Sequence, residues 1–189
     1  MNKTTRAISK EEYKEIITTI TEGFTGCRPN ERIATVLTLE ANLGLRVSDI
    51  LQLKLSDIIS DANGRKHLAI TEQKTGKKRT FTVPNEIYLY IQNYALKHDI
   101  PANERLFTIT ERAVQKQLKL VCDYLELDNI STHSFRKFFA TEIYKDSGFD
   151  IALVSKLLQH SSTAVTQKYI GISTQDIEQA LQKHIFLID

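Results

Sequence analysis

The sequence predicts an α+β fold, mainly α-helical, with one small three-stranded antiparallel sheet. Three observations carry this. Apolar residues recur at three- and four-residue spacing through most of the chain. Between Asp57 and Val83 the period shortens to two, and turn residues interrupt it twice. After Pro101 no proline occurs, so the second half reads as consecutive helices broken by Gly148 and by the serine-rich stretch after His160.

Ser9 and Glu12 have capping-box spacing, and Tyr13, Ile16, Ile17 and Ile20 follow at helical intervals, which predicts a first helix over Lys10 to Glu22. Gly23 to Pro29 ends it. Asn30 caps a second helix through Ile33, Leu37 and Ala41, which Gly44 closes in a left-handed conformation. Val47 to Leu53 forms a short third helix, with Arg46 at the junction. Ile58-Ile59, His67 to Thr71 and Arg79 to Val83 read as strands, joined by turns at Asp61 to Gly64 and Lys74 to Lys77. Pro84 opens a helix whose face carries Ile87, Ile91 and Tyr94, and Ala113 to Leu125 forms another. The tail, 174–189, places Ile177, Leu181, His184, Ile185 and Ile188 on one face and needs a groove to lie in.

At 189 residues, with 41% hydrophobic and 25% charged residues, the chain has the composition of one soluble domain with a core. It contains no repeat and no linker long enough to separate two domains. Cys27 and Cys122 have neither metal-site spacing nor the number of a disulfide framework, no secretory signal is recognisable, and no apolar run approaches the ~20 residues that cross a bilayer. These features exclude the membrane and point to a cytoplasmic protein with reduced, structural thiols. The net charge of +2 is mild, yet the span Asp61 to Thr80 holds Arg65, Lys66, Lys74, Lys77, Lys78 and Arg79 against only Asp61 and Glu72. The basic excess is therefore concentrated in the hairpin.

Four segments carry chemistry: Gly44-Leu-Arg46-Val-Ser-Asp49, Gln-Lys74-Thr-Gly-Lys, Thr-His133-Ser-Phe-Arg136-Lys, and Gln-His160-Ser-Ser followed nine residues later by Tyr169. Each alone reads as a surface arginine, a solvated hairpin tip, a routine helix pair or a packing tyrosine. Together they supply positive charge and proton-transfer capacity, which a phenol needs to attack a phosphodiester. In order and spacing they resemble the tyrosine recombinase or phage integrase family. The resemblance covers the whole chain as that family's catalytic domain, with Gly-Leu-Arg46 as the first-arginine motif, His133-x-x-Arg136 as the second and His160 with Tyr169 as the third.

The resemblance implies that Arg46, Lys74, His133, Arg136, His160 and Tyr169 are catalytic. Tyr169 is the nucleophile, Arg46 and Arg136 bind the non-bridging oxygens, His160 adds a hydrogen bond, His133 takes the phenol proton, and Lys74 protonates the leaving 5′ oxygen. Asp49 orients Arg46. Lys77, Lys78, Arg79 and Lys137 contact DNA, whereas His67, His98 and His184 have no motif context and read as surface or packing residues. The implied partners are double-stranded DNA, further copies of the chain in a tetrameric synapse formed from monomers in solution, and an accessory directionality protein. The outcome is integration, excision or inversion through a 3′-phosphotyrosyl link, with neither metal nor nucleotide cofactor.

Family members usually carry a core-binding domain before the catalytic one. Here only about nine residues precede the first helix, so the expectation is a single domain over 1–189, as a minimal recombinase or a piece of a longer one. A DNA-binding regulator on the same fold is the alternative reading, and such a decayed copy would be expected to have lost at least one of the six catalytic residues.

Overall fold

The computed structural model describes residues 5–74, 76, 78–171 and 182; the side chain of Arg79 lies outside the description, as do Lys77 and, apart from Gln182, the tail. The chain groups into two compact units, Met1–Phe139 and Ala140–Asp189. The first carries α1 (Lys10–Glu22), α2 (Glu31–Leu43), α3 (Val47–Ile50), β1 (Ile58–Ser60), β2 (Lys66–Thr71), β3 (Lys78–Val83), α4 (Asn85–Lys97), α5 (Glu111–Tyr124) and the first half of α6 (Thr132–Asp146). The second carries the rest of α6, α7 (Ile151–Leu158) and α8 (Thr163–Ile170). The expected mainly helical α+β fold with a three-stranded antiparallel sheet, in the order β1-β2-β3, is what forms.

Helix α1 begins where its capping box dictates. Ser9 accepts from the Glu12 amide at 3.1 Å, and Glu12 returns a bond to the Ser9 amide at 2.8 Å. Glu12 also takes Arg6, whose guanidinium reaches it at 2.5 and 2.8 Å. Ile16 and Ile20 of α1 are fully buried against α2 and α5. Helix α2 is apolar nearly all round, with Val36, Leu37 and Leu39 at zero exposure, and is the central element of this core. Leu37→Ala would remove about 2–5 kcal/mol there.

The third helix is shorter than its sequence suggests. It ends at Ile50 because the amides of Gln52 and Leu53 bond back three residues, to Asp49 and Ile50, and the chain tightens into a 3₁₀ turn at Leu55–Asp57. Helix α5 starts two residues earlier than expected, since the Thr110 hydroxyl caps the Ala113 amide. In the sheet, Ile58 pairs with Leu68 and Leu68 with Phe81, so one face of β2 meets the core through Leu68 while Thr71 pairs with Lys78 at the open end. Cys27 and Cys122 are free and buried, and burial pushes the Cys122 thiol up to about 11, which suits a packing role.

In the second unit, Asp150 caps α7 through the Leu153 amide and Ser162 caps α8 through the Val165 amide. Between them Gln159 takes a left-handed turn at φ 54°, with the His160 amide bonded back to the Ser155 carbonyl. Val154, Leu158 and Thr166 are buried and fix how α7 and α8 pack.

Candidate active site

Arg46 stands between two helices because Gly44 ends α2 at φ 59° and the buried Leu45 and Val47 anchor the chain on either side. Gly44 has a second duty. A Cβ at this position would lie 2.3 Å from the Phe139 ring, so glycine is what lets α6 approach the end of α2. Through that approach Arg136, itself 2% exposed, donates from Nη1 to the Gly44 carbonyl.

The basic hairpin is braced at its root by two acids. Arg46 Nη1 donates to Glu72 Oε2 at 2.7 Å, and Asp49 accepts from the Gln73 amide at 2.8 Å while its other oxygen lies 4.0 Å from Arg46. Glu72 and Asp49 are both buried. Asp49 thus does more than accompany Arg46, since it ties α3 to the residue preceding Lys74. Lys74 is exposed on the turn, and Gly76, at φ 66°, returns its amide to the Glu72 carbonyl at 2.8 Å. Lys78 is exposed on β3.

His133 opens the face of α6 and is exposed, one turn before the buried Arg136. Its pKa is held below 6.5, first by desolvation and then by the charges of Arg136, Lys74 and Arg46, with Glu111 at the start of α5 opposing. The charges of Arg46, Lys74 and Arg136 all act on this imidazole, which puts four residues from three separate segments in one electrostatic neighbourhood. The Lys137 ammonium donates to the Thr5 carbonyl at 2.6 Å and secures the N-terminal segment.

In the second unit, His160 Nδ1 lies 2.9 Å from the Thr166 hydroxyl, and its ring meets Tyr169 edge to face with centroids 5.1 Å apart. Thr166 and Tyr169 lie one turn apart on α8, so the same helix face that presents the phenol also orients the imidazole. The phenol oxygen is shielded from solvent.

Sequence reasoning missed Glu72 and Thr166. Glu72 was visible as an acid inside a basic segment, a placement that self-repulsion of the lysines alone explains, and Thr166 was visible at the i, i+3 position to Tyr169. His67 and His98 behave as surface residues paired with Asp61 at 3.1 Å and Glu31 at 3.3 Å, while His184 falls outside the described residues. Among the described residues no group of three or more His, Cys, Asp or Glu is placed to hold a metal, and no helix is long and apolar enough to cross a membrane.

Two predictions follow from the brace and the histidine. Glu72→Gln leaves Arg46 with only the more distant Asp49 as a buried counter-charge, and the loss of a charged hydrogen bond, about 1.5–3 kcal/mol, should lower the melting temperature by several degrees. Calorimetry beside the unaltered chain measures it, and an unchanged melting temperature would show that the bond adds nothing. A base must be neutral to act, so at sub-saturating DNA the acid limb of any reaction driven by His133 should lie below pH 6.5. Glu111→Gln removes the opposing charge, and the limb should move further to acid; a shift toward neutral pH would exclude this assignment.

Residues 6–176 match the phage integrase family. The probable integrase/recombinase YoeC of Bacillus subtilis (strain 168) is 32% identical over 161 residues, covering 82% of this chain and 84% of its own. The tyrosine recombinase XerA of Pyrococcus furiosus is 27% identical over 188 residues, covering 94% of this chain and 61% of its own. Among solved structures, the XerH site-specific recombinase bound to palindromic difH substrate in a post-cleavage complex superposes with a TM-score of 0.70 at 21% identity, over 96% of this chain and 54% of that one. The catalytic domain of bacteriophage HP1 integrase gives 0.65 at 18%, over 95% of both chains. The chain belongs to the phage integrase family. It spans about three fifths of the XerA sequence and about half of the XerH chain, and the structural likeness carries the fold.

Proposed function

We propose that this chain is a site-specific DNA recombinase that breaks and rejoins strands through Tyr169. The observation that supports this best is the convergence of Arg46, Lys74 and Arg136 on His133, in a fold of this family whose second unit offers a tyrosine beside a histidine. The Tyr169 oxygen gives its proton to neutral His133 and attacks phosphorus. As the new P–O bond forms, the P–O5′ bond breaks and Lys74 delivers a proton to the departing oxygen. Arg46 and Arg136 neutralise the charge gathering on the non-bridging oxygens, and His160, with Nδ1 engaged by Thr166, donates from Nε2.

A 5′ hydroxyl from another strand reverses every step, returning the proton to Lys74 and the phenol proton to Tyr169. Bond energy is conserved in the phosphotyrosyl link, so the scheme requires no nucleotide cofactor. Asp49 acts by bracing the Lys74 hairpin, and Lys77, Lys78 and Arg79 add phosphate contacts along it. Exchange between two duplexes breaks four strands, each needing one tyrosine, so four copies act together on cytoplasmic DNA, with an accessory protein setting direction.

The test is to express the chain in bacteria, lyse under denaturing conditions and sequence any DNA that remains covalently attached. Recombination predicts attached fragments that share a recurrent break site. A regulator on the same fold would yield DNA only under native conditions.

A further inference from the structure

The interior side of Arg136 holds a carboxyl group that the scheme above does not use. Glu40 lies on α2 one turn before Gly44, with its side chain at zero exposure; neither carboxylate oxygen meets hydrogen-bond geometry among the described residues, and the Val47 amide at the start of α3 is the backbone group that favours its ionised form. The Gly44 amide bonds to the Glu40 carbonyl at 3.0 Å, and the Gly44 carbonyl accepts from Arg136. Arg136 is therefore lodged at the C-terminal end of α2, where unpaired carbonyls give partial negative charge that favours a cation. A guanidinium taken this far from water needs compensation, and an isolated buried carboxylate needs it equally.

We infer that Glu40 is the internal counter-charge of Arg136, a positioning residue that acts with the Gly44 carbonyl to hold the guanidinium ready for a phosphate. Two charged side chains act on Glu40: Arg136 from α6, which favours its ionised form, and Glu111 from α5, which opposes it. Burial is the largest influence and pushes its pKa well above the ordinary carboxylate range. Proton loss from Glu40 and the placement of Arg136 are thereby one linked equilibrium. As pH falls, Glu40 takes up its proton, Arg136 loses its inner partner, and phosphate chemistry weakens for a reason separate from His133.

The inference rests on the recombinase reading for its consequence but not for its first test. In the unaltered chain labelled with ¹³C and ¹⁵N, the Arg136 Nε–Hε resonance should move with the same midpoint as the Glu40 carboxyl carbon, and Glu40 should be ionised at pH 8. In Glu40→Gln the Arg136 resonance should shift and its hydrogen exchange accelerate about tenfold. An Arg136 resonance indifferent both to Glu40 titration and to Glu40→Gln, or a Glu40 still neutral at pH 8, overturns the inference, and the measurement on the unaltered chain decides even if the variant folds poorly. With a nicked, sequence-randomised duplex library as probe, Glu40→Gln should trap about tenfold less covalent DNA at pH 7 while non-covalent binding stays within about twofold. Equal trapping by a folded variant also overturns it. A library that traps nothing even with the unaltered chain contradicts the recombinase reading instead, leaving the resonance measurement to judge Glu40.

Discussion

Tyr169→Phe forms no covalent DNA complex, a loss of at least about a thousandfold, while its affinity for duplex stays within about twofold of the unaltered chain. Only one oxygen is removed, and the edge-to-face contact with His160 survives because the ring is unchanged. The basic hairpin proposed to contact phosphates lies in the other unit and is untouched. Denaturing gels of covalent capture beside filter binding of the same DNA measure both quantities. A surviving covalent band would transfer the nucleophile's role to another residue, and a parallel collapse of affinity would show that the phenol holds DNA rather than attacks it.

The second large effect concerns the leaving group. An alkoxide has a conjugate acid near water's pKa of ~15.7, so its expulsion without a proton donor is slow, whereas a thiolate with a pKa of ~8.5 departs unaided. Lys74→Ala should therefore be slowed about a hundredfold or more on ordinary DNA, with most of the rate restored when the bridging 5′ oxygen is replaced by sulfur. Arg136→Ala should stay slow on both substrates, because its task is to balance charge on the non-bridging oxygens. Failure of sulfur to rescue Lys74→Ala preferentially would move the donor to Lys77 or Lys78 on the same hairpin.

Much of the fold was legible because local chemistry and tertiary structure agree. Ser9 with Glu12, Asn30, Gly44 and Pro84 mark element ends that the structure keeps. The alternation from His67 to Thr71 fixed the register, since a slip of one residue would carry Leu68 out of the core. Arg46, Lys74, His133 and Arg136 were legible as a group only through their order along the chain, and the structure supplies what order lacks, a common influence on one imidazole. The acids were illegible for a physical reason. An isolated glutamate in a sequence reads as solvated, and only the close approach of α6 at Gly44 and the return of the hairpin bury Glu40 and Glu72. Lys137 shows the converse, a cation that reads as a solvated or DNA-facing lysine in the sequence and whose ammonium bonds to the Thr5 carbonyl in the fold. The apolar tail expected at 174–189 lies outside the described residues apart from Gln182.

The account stands most directly on the identity and polarity of the covalent bond. Adducts recovered from denatured cells, digested with nuclease and protease and sequenced by mass spectrometry, should carry a nucleotide on the Tyr169 oxygen through its 3′ phosphate, and the opposite side of the break should end in a 5′ hydroxyl that a kinase can label. A nucleotide on any other residue, or a linkage through a 5′ phosphate, would contradict it.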